Sequence, residues 1–288
     1  MRSRGCAAAI LLLPFIVTPA WEAPKPGRPL ALVLRQLRKI PLTEAYVYGT
    51  VPPEAQAGLR QAKKHLRELI LSYLNQAPGG RVSAHETREG LIQKLKSQGV
   101  MVGLEPNRQA ELGYGYLLRV EVGSTGDDAD LLVVSTALSV TCGDDSSLML
   151  LRRGNAGWQP ILVDEAPDYA DIRGARGSLN WRASEPDSGK NRLIVIADIP
   201  PWCSSVLRPL RYRAYRVGGG LEKPVQLVSR STDAIAIDEG YEIRADPSGF
   251  SLSYSVADKK NAGMRTRETL NYRIQRNEAL PESSRPDS

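Results

Sequence analysis

Apolar side chains recur at three- and four-residue steps in a stretch that begins at Pro53 and ends at the Pro78-Gly79-Gly80 sequence. Leu59, Leu66 and Ile70 fall on one stripe, which is typical of an amphipathic helix. Proline is favoured in the first helical turn, and a proline-glycine pair ends a helix. We therefore predict one long helix here. The basic residues of this stretch lie mostly off the stripe: Arg60, Lys63, Lys64 and Arg67.

A second helix is expected after Ser83. Ser83 and Glu86 have the spacing of a capping box, in which each side chain bonds an exposed backbone amide of the other residue. Leu91 and Leu95 mark the buried side, and Gly99 suits the left-handed residue that closes a helix. The two helices define a predicted helical segment over residues 54–110. Ahead of it, residues 21–53 are rich in proline and predict an extended arm, with one short helix between Leu30 and Ile40.

After residue 110 the pattern changes to short apolar or alternating runs separated by glycine, aspartate and asparagine, which is typical of strands. The first four predicted strands are Tyr116–Val122, Leu131–Leu138, Ser147–Arg152 and Trp158–Val163. A hairpin turn is indicated at Arg153–Gly157.

The strand pattern also contains a weak internal repeat. Leu131–Val134 precedes Cys142, and Leu193–Ile196 precedes Cys203 at a distance of 61 residues, each cysteine being followed by a strand, a glycine turn and another strand. A poorer third copy covers residues 241–276, where Leu270, Tyr272 and Ile274 alternate with Asn271, Arg273 and Gln275. We predict a mainly β fold with an N-terminal α-helical segment. Its β-repeat domain, residues 111–281, consists of repeated antiparallel four-stranded units in a propeller-like or sandwich arrangement.

The two ends of the chain are not predicted to be part of the folded domain. Arg2 and Arg4 precede the uncharged apolar run Ala7–Val17, and small residues follow at 18–20. This layout predicts a removable signal peptide over residues 1–20, because the run is too short to span a bilayer. The mature protein should then be periplasmic or extracellular with no membrane span. Residues 282–288 predict a disordered tail.

Cleavage would remove Cys6 and leave Cys142 and Cys203 as the two remaining cysteines. Two thiols in an oxidising compartment usually pair, so we predict a disulfide between them. The alternative is two buried, unpaired thiols.

Charge is unevenly distributed along the chain. Residues 21–100 carry a net charge of +7, whereas residues 101–288 carry −3. A solvated helix surface explains the basic excess most simply. Contact with anionic lipid, with a cell-wall polymer or with the acidic remainder of the chain is the alternative. Nucleic acid is not expected as a partner of an exported protein.

Clustered carboxylates are the richest candidate chemistry. The clusters are Asp127, Asp128 and Asp130; Asp144 and Asp145; and Asp164, Glu165, Asp168 and Asp171. The last group is the candidate catalytic set, since two facing carboxylates hydrolyse glycosidic bonds. Calcium is the only cofactor considered, because such oxygens are its ligands, and otherwise no cofactor is expected. The simplest interpretation is that aspartates favour turns.

Other chemistry is sparse. The two histidines, His65 and His85, lie on the predicted helices without an HExxH pattern, and no serine lies in a GxSxG sequence. Trp158, Trp181 and Trp202 are candidate ligand-stacking residues, although a strand tryptophan more often packs between sheets. Trp202 is the best candidate for an exposed position.

These observations favour an exported, non-enzymatic module that binds an unknown protein or a cell-surface polymer. The absence of a nucleophile motif, of metal-ligand spacing and of a nucleotide loop supports this hypothesis. The alternative is a secreted hydrolase that uses a carboxylate pair, and a structural role is a third possibility.

Overall fold

A computed structural model describes residues 28–43, 49–76, 83–103, 113–125, 128–203, 207–218, 223–236, 239–257, 265–275 and 278–281. The predicted signal peptide and the predicted C-terminal tail lie outside these residues. Among these described residues three helices come first: α1 (Arg28–Leu37), α2 (Pro53–Gln76) and α3 (Ala84–Ser97). No helix among the described residues is long and apolar enough to cross a membrane.

The part of the chain that the structure describes then forms twelve strands in three antiparallel sheets, each with its four strands in sequence order. The first sheet contains β1 (Leu117–Thr125), β2 (Asp128–Val140), β3 (Gly143–Gly154) and β4 (Gly157–Glu165). The second contains β5 (Asn180–Ala183), β6 (Asn191–Asp198), β7 (Leu207–Gly218) and β8 (Val225–Ala236). The third contains β9 (Tyr241–Asp246), β10 (Gly249–Ala257), β11 (Arg265–Gln275) and β12 (Glu278–Pro281). The predicted fold class is confirmed: the protein is mostly β, with an N-terminal helical segment and repeated four-stranded units consistent with a sandwich or propeller-like fold.

The three sheets lie face to face in a stack. Successive residues of a strand point to opposite faces of its sheet, so one strand can pack against a different layer on each side. In β2, Leu132 and Val134 belong to the apolar cluster shared with the helices. Their neighbour Val133 packs instead with Ile194 of the second sheet. The other side of the second sheet, including Val195, packs on the third sheet. The order of layers is therefore helices, first sheet, second sheet, third sheet.

The helix termini agree with their sequence signals. Pro53 is the first residue of α2, and the hydroxyl of Ser83 accepts a hydrogen bond from the Glu86 amide at 3.4 Å at the start of α3. Just beyond α3, Gly99 adopts a φ of +77°, the left-handed conformation that glycine reaches without steric cost. The helix predicted within the proline-rich arm is α1.

The two ends of the stack differ in character. The helices cover the outer face of the first sheet with apolar side chains. On the third sheet, Phe250 and Leu252 face inwards, so the alternation turns Ser251 and Ser253 to the outer face. A polar outer surface is what a repeat array needs at its last unit. The third sheet therefore ends the stack without another layer on it among the described residues.

The predicted disulfide joins the first two sheets. Cys142 lies in the turn between β2 and β3, and Cys203 follows β6 in the corresponding position of the second unit. The bond Cys142–Cys203 has a Cα–Cα distance of 5.1 Å. This confirms both the pairing and the equivalence of the two cysteines within the repeat.

Candidate functional site

Seven charged residues meet between the helices and the first two sheets, and we call them the buried charge cluster. Its members come from α2, β3, β4, β6, β7 and the connection after β4: Lys63, Asp145, Asp164, Arg176, Asp198, Arg211 and Arg213. The three carboxylates are at most 1% exposed. A buried charge is tolerated only when it is paired, so the cluster depends on its ion pairs.

Arg213 bridges two of these carboxylates. Its Nε donates to Asp164 Oδ2 at 2.5 Å, and its Nη2 donates to Asp198 Oδ1 at 2.8 Å. Burial opposes the charge of Arg213, but the two aspartates more than offset this and raise the pKa of the guanidinium. The planar fork of arginine suits such a bridge. Since β4 carries Asp164 and β6 carries Asp198, Arg213 connects the first sheet to the second.

Two further arginines complete the pairing of Asp164 and Asp198. Arg211 Nε donates to Asp198 Oδ2 at 2.8 Å. Arg176 lies with its Nε 2.7 Å from Asp164 Oδ1 and its Nη1 3.4 Å from Asp198 Oδ1. The shorter Arg176 contact is an ion pair without hydrogen-bond alignment. Each of the two aspartates therefore faces at least two guanidinium groups.

Lys63 inserts into the cluster from α2. Its Nζ lies 2.6 Å from Asp145 Oδ2 and also donates to the Ala166 carbonyl at 2.9 Å. The Tyr169 hydroxyl donates to the same Asp145 oxygen at 2.8 Å. Burial, followed by the charge of Asp145, raises the pKa of Tyr169 well above its ordinary value. Lys63 is only 3% exposed, so its predicted position off the buried face of the helix was wrong.

Two acids of the candidate catalytic set pair with the same helix. Arg67 Nη1 lies 2.5 and 2.6 Å from the two carboxylate oxygens of Glu165, and Arg60 Nη1 donates to Asp168 at 2.6 Å. Together with Lys63, these contacts place part of the basic excess of the N-terminal third against acids of the first sheet and the loop after it. A wholly solvated helix surface does not describe this face of α2.

Asp171 serves its own turn. It precedes the short 3₁₀ helix Ile172–Gly174, and its Oδ1 accepts the Arg173 amide at 2.8 Å. The Arg173 guanidinium also bonds the carboxylate, which lowers the pKa of Asp171. All four acids of the candidate catalytic set, Asp164, Glu165, Asp168 and Asp171, thus carry an arginine partner.

Asp144 has no such cation in direct contact among the described groups. Its carboxylate accepts the Ser146 hydroxyl at 2.6 Å and the Ser178 amide at 3.0 Å. Burial raises the pKa of Asp144 above its ordinary value of 3.8, although both hydrogen bonds act against the shift. Ser178 itself has a φ of +46°, a conformation that is uncommon for residues other than glycine.

The calcium hypothesis gains no geometric support from the described residues. They contain no group of three or more histidine, cysteine, aspartate or glutamate side chains placed to hold a metal ion. Asp130 is exposed, while the side chains of Asp127 and Asp128 lie outside the description.

The three candidate tryptophans are all at least partly covered. Trp158 is 4% exposed in the core between the helices and the first sheet. Trp181 is half-buried on the second sheet, against Gly123 of β1. Trp202 is half-buried too, because the Arg173 guanidinium lies 4.9 Å above its ring and Gly49 contacts its edge. Trp202 is therefore less exposed than the sequence suggested.

Both histidines lie on the helices where the sequence predicted them. His65 Nδ1 lies 3.3 Å from Glu68 on the same helix, and His85 is exposed in the first turn of α3.

A shallow depression on the outer face of the third sheet is a site that sequence reasoning missed. We call it the third-sheet trough; its volume is about 260 Å³. Its lining includes Arg244, Asp246, Ser251, Asn271 and Arg273, with Gly249 at one end. Strand register brings three of them into one row, since Ser251 of β10 pairs with Arg244 of β9 and with Asn271 of β11. The alternation of β11 did indicate a polar side.

Comparisons with known proteins identify no family. The chain matches no protein-family model and no curated protein sequence. Two solved structures of a fructofuranosidase from Schwanniomyces occidentalis, complexed with fructosylnystose in one case and with fructose in the other, align with 59% of this chain and 34% of theirs. The identity is 6% and the TM-score is 0.29, so the similarity carries no argument about fold or activity.

Proposed function

We propose that this protein is an exported, non-enzymatic binding module. The observation that carries the proposal is the commitment of all four candidate acids to arginine partners. In this proposal the acids join the layers of the fold, and the module recognises its partner elsewhere on its surface.

The chemistry of carboxylate catalysis supports this choice over a hydrolase. A glycosidase needs one protonated carboxyl as general acid and a second, ionised carboxylate. Asp164 is 1% exposed and held by two guanidinium groups, so it lies out of reach of a substrate. The pKa of Asp171 is lowered by Arg173, which is opposite to the shift that a general acid requires.

The proposed location follows from the disulfide and from the predicted signal peptide. A disulfide between Cys142 and Cys203 fits an oxidising compartment. We propose the periplasm or the cell exterior, where the partner would be a protein or a cell-surface polymer.

A turnover assay tests the proposal. The mature, disulfide-bonded protein is incubated with neutral and acidic oligosaccharides, and the release of reducing ends is measured beside a buffer control. The Asp168→Asn/Asp171→Asn variant serves as the matched comparison, because both acids are partly exposed. We expect no release above buffer from either protein. Release by the wild type that disappears in the variant would establish the hydrolase instead.

A further inference from the structure

We propose that the third-sheet trough binds a carboxylate-bearing sugar unit of an acidic polysaccharide. This inference rests on the proposed binding function and names the ligand class of that module. The trough combines guanidinium groups, a hydroxyl and a side-chain amide on one open surface. Its volume of about 260 Å³ is near the lower end of ligand pockets, which suits one sugar ring of a longer chain.

Arg244 supplies the first positive group. Its side chain is 76% exposed, and its Nε donates to Glu242 Oε1 at 2.8 Å. Glu242 also accepts from Arg267 at 3.1 Å on the neighbouring strand β11. Because Nε is already bonded to Glu242, a ligand carboxylate would pair end-on with the two terminal nitrogens of the guanidinium.

Arg273 supplies a second positive group on the opposite side of the trough. It belongs to β11 and is paired in register with Gly249 of β10, across from Asp246 of β9. Ser251 and Asn271 share the next row with Arg244, so the two arginines lie at diagonal corners of the trough. An amide and a hydroxyl are the groups that bind sugar hydroxyls, so the lining matches both parts of a uronate: its carboxylate and its ring hydroxyls.

Asp246 is the acid of the lining, and its oxygen serves the β9–β10 turn. Its Oδ1 accepts hydrogen bonds from the Ser248 amide at 2.7 Å, the Ser248 hydroxyl at 2.5 Å and the Gly249 amide at 3.1 Å. These bonds, with the Ser248 hydroxyl first among them, lower the pKa of Asp246. Because the turn satisfies that carboxylate oxygen, Asp246 shapes the end of the trough, and arginines outnumber acids two to one in the lining.

Small residues keep the trough open. Gly249 lies at its end, and a Cβ there would stand 2.1 Å from the Tyr272 carbonyl oxygen, so a larger residue is excluded. Ser251 is the next residue on the same face. The depression is therefore set by the backbone and by short side chains between long arginines.

The test is isothermal titration of the mature, disulfide-bonded protein with trigalacturonate at low salt, with neutral galactotriose and inorganic phosphate as separate titrants. We expect trigalacturonate to bind, galactotriose to bind at least tenfold more weakly, and Arg244→Ala to lower the trigalacturonate affinity at least tenfold, since hydrogen bonds to charged groups are strong. Higher salt should weaken binding. Arg230→Ala, an exposed arginine on β8, is the matched control and should leave the affinity unchanged.

Three results would overturn the inference: no trigalacturonate binding, equal loss in Arg244→Ala and Arg230→Ala, or phosphate binding as tight as that of trigalacturonate. Thermal unfolding of both variants guards against misfolding, and Arg244→Lys, which keeps the charge without the fork, should retain an intermediate affinity. No binding together with no turnover would remove this site and leave the non-enzymatic function standing. Turnover would remove the proposed function itself.

Discussion

Lys63 offers a sharp test of the role of the buried charge cluster. The Lys63→Met variant keeps the length and the helix propensity of the side chain but removes the charge that lies 2.6 Å from Asp145. In the variant, Asp145 would still accept hydrogen bonds from the Tyr169 hydroxyl and, at 3.4 Å, from the backbone amide of Arg176. Both of these donors are uncharged. The variant therefore leaves a buried carboxylate without its charge partner.

The expected magnitude follows from burial on both sides of the pair. Lys63 is 3% and Asp145 0% exposed at the side chain, and removing one partner of such a pair costs about 3–5 kcal/mol. That is a large share of a typical unfolding free energy of about 5–15 kcal/mol. The control is Lys64→Met on the same helix. Lys64 is 65% exposed and 4.0 Å from Glu68, so its loss should cost below about 1 kcal/mol.

Urea unfolding of the oxidised protein at pH 7 measures both variants. The double variant Lys63→Met/Asp145→Asn should be more stable than Lys63→Met by at least about 1.5 kcal/mol, because it removes the stranded charge while Tyr169 can still donate to the new amide oxygen. The buried ion pair would not have this role if Lys63→Met cost no more stability than Lys64→Met, or if the double variant were less stable than the single one.

Three further predictions concern the same interfaces. Cys142→Ser/Cys203→Ser opens a link between residues 61 apart and should cost about 4 kcal/mol, lowering Tm by roughly 10 °C in calorimetry; an unchanged Tm would contradict the bond. Asp144→Asn should become more stable relative to the wild type as the pH rises from 4 to 7. Burial raises the pKa of Asp144 in the folded state above 3.8, so the wild type loses stability as this carboxyl ionises. Urea midpoints of the two proteins that change equally with pH would contradict this. Asn75→Ala breaks the bonds to the Trp158 amide at 2.6 Å and carbonyl at 3.2 Å, so urea unfolding should show a loss of about 1–3 kcal/mol; no loss would mean that this contact does not hold α2 on β4.

The fold was accessible from sequence because most of its signals are local. Two-residue alternation and glycine turns predicted the strands. The Ser83 cap predicted the start of α3 within one residue of its position. The repeat of two units was visible in a different way, because similar segments precede Cys142 and Cys203 at a fixed spacing. Neither kind of signal requires knowledge of which residues meet in space.

The charged contacts were not accessible, since their partners are far apart in sequence. Lys63 looks like a surface lysine of an amphipathic helix, yet its partner Asp145 lies on another layer. From the sequence alone Asp164 is a catalytic candidate, but in the structure it accepts a hydrogen bond from Arg213 of the second sheet. The only sequence signal for these contacts was the difference in net charge between the basic N-terminal third and the acidic remainder of the chain. It indicated that basic residues meet acidic ones but did not say which residues pair.

The third-sheet trough shows the same division. The polar side of β11, with Asn271 and Arg273, was visible in the alternation. The position of Arg244 beside Ser251 depends on the register between β9 and β10. The turn residues determine that register only once these two strands are known to form a hairpin.

A crystal structure of the protein soaked with trigalacturonate would show the buried acids and the binding surface together. We expect density for a sugar carboxylate at Arg244 in the third-sheet trough, with Arg213 still bridging Asp164 and Asp198. Density for the sugar between Asp168 and Asp171, or an Asp164 released from Arg213 and open to solvent, would contradict it.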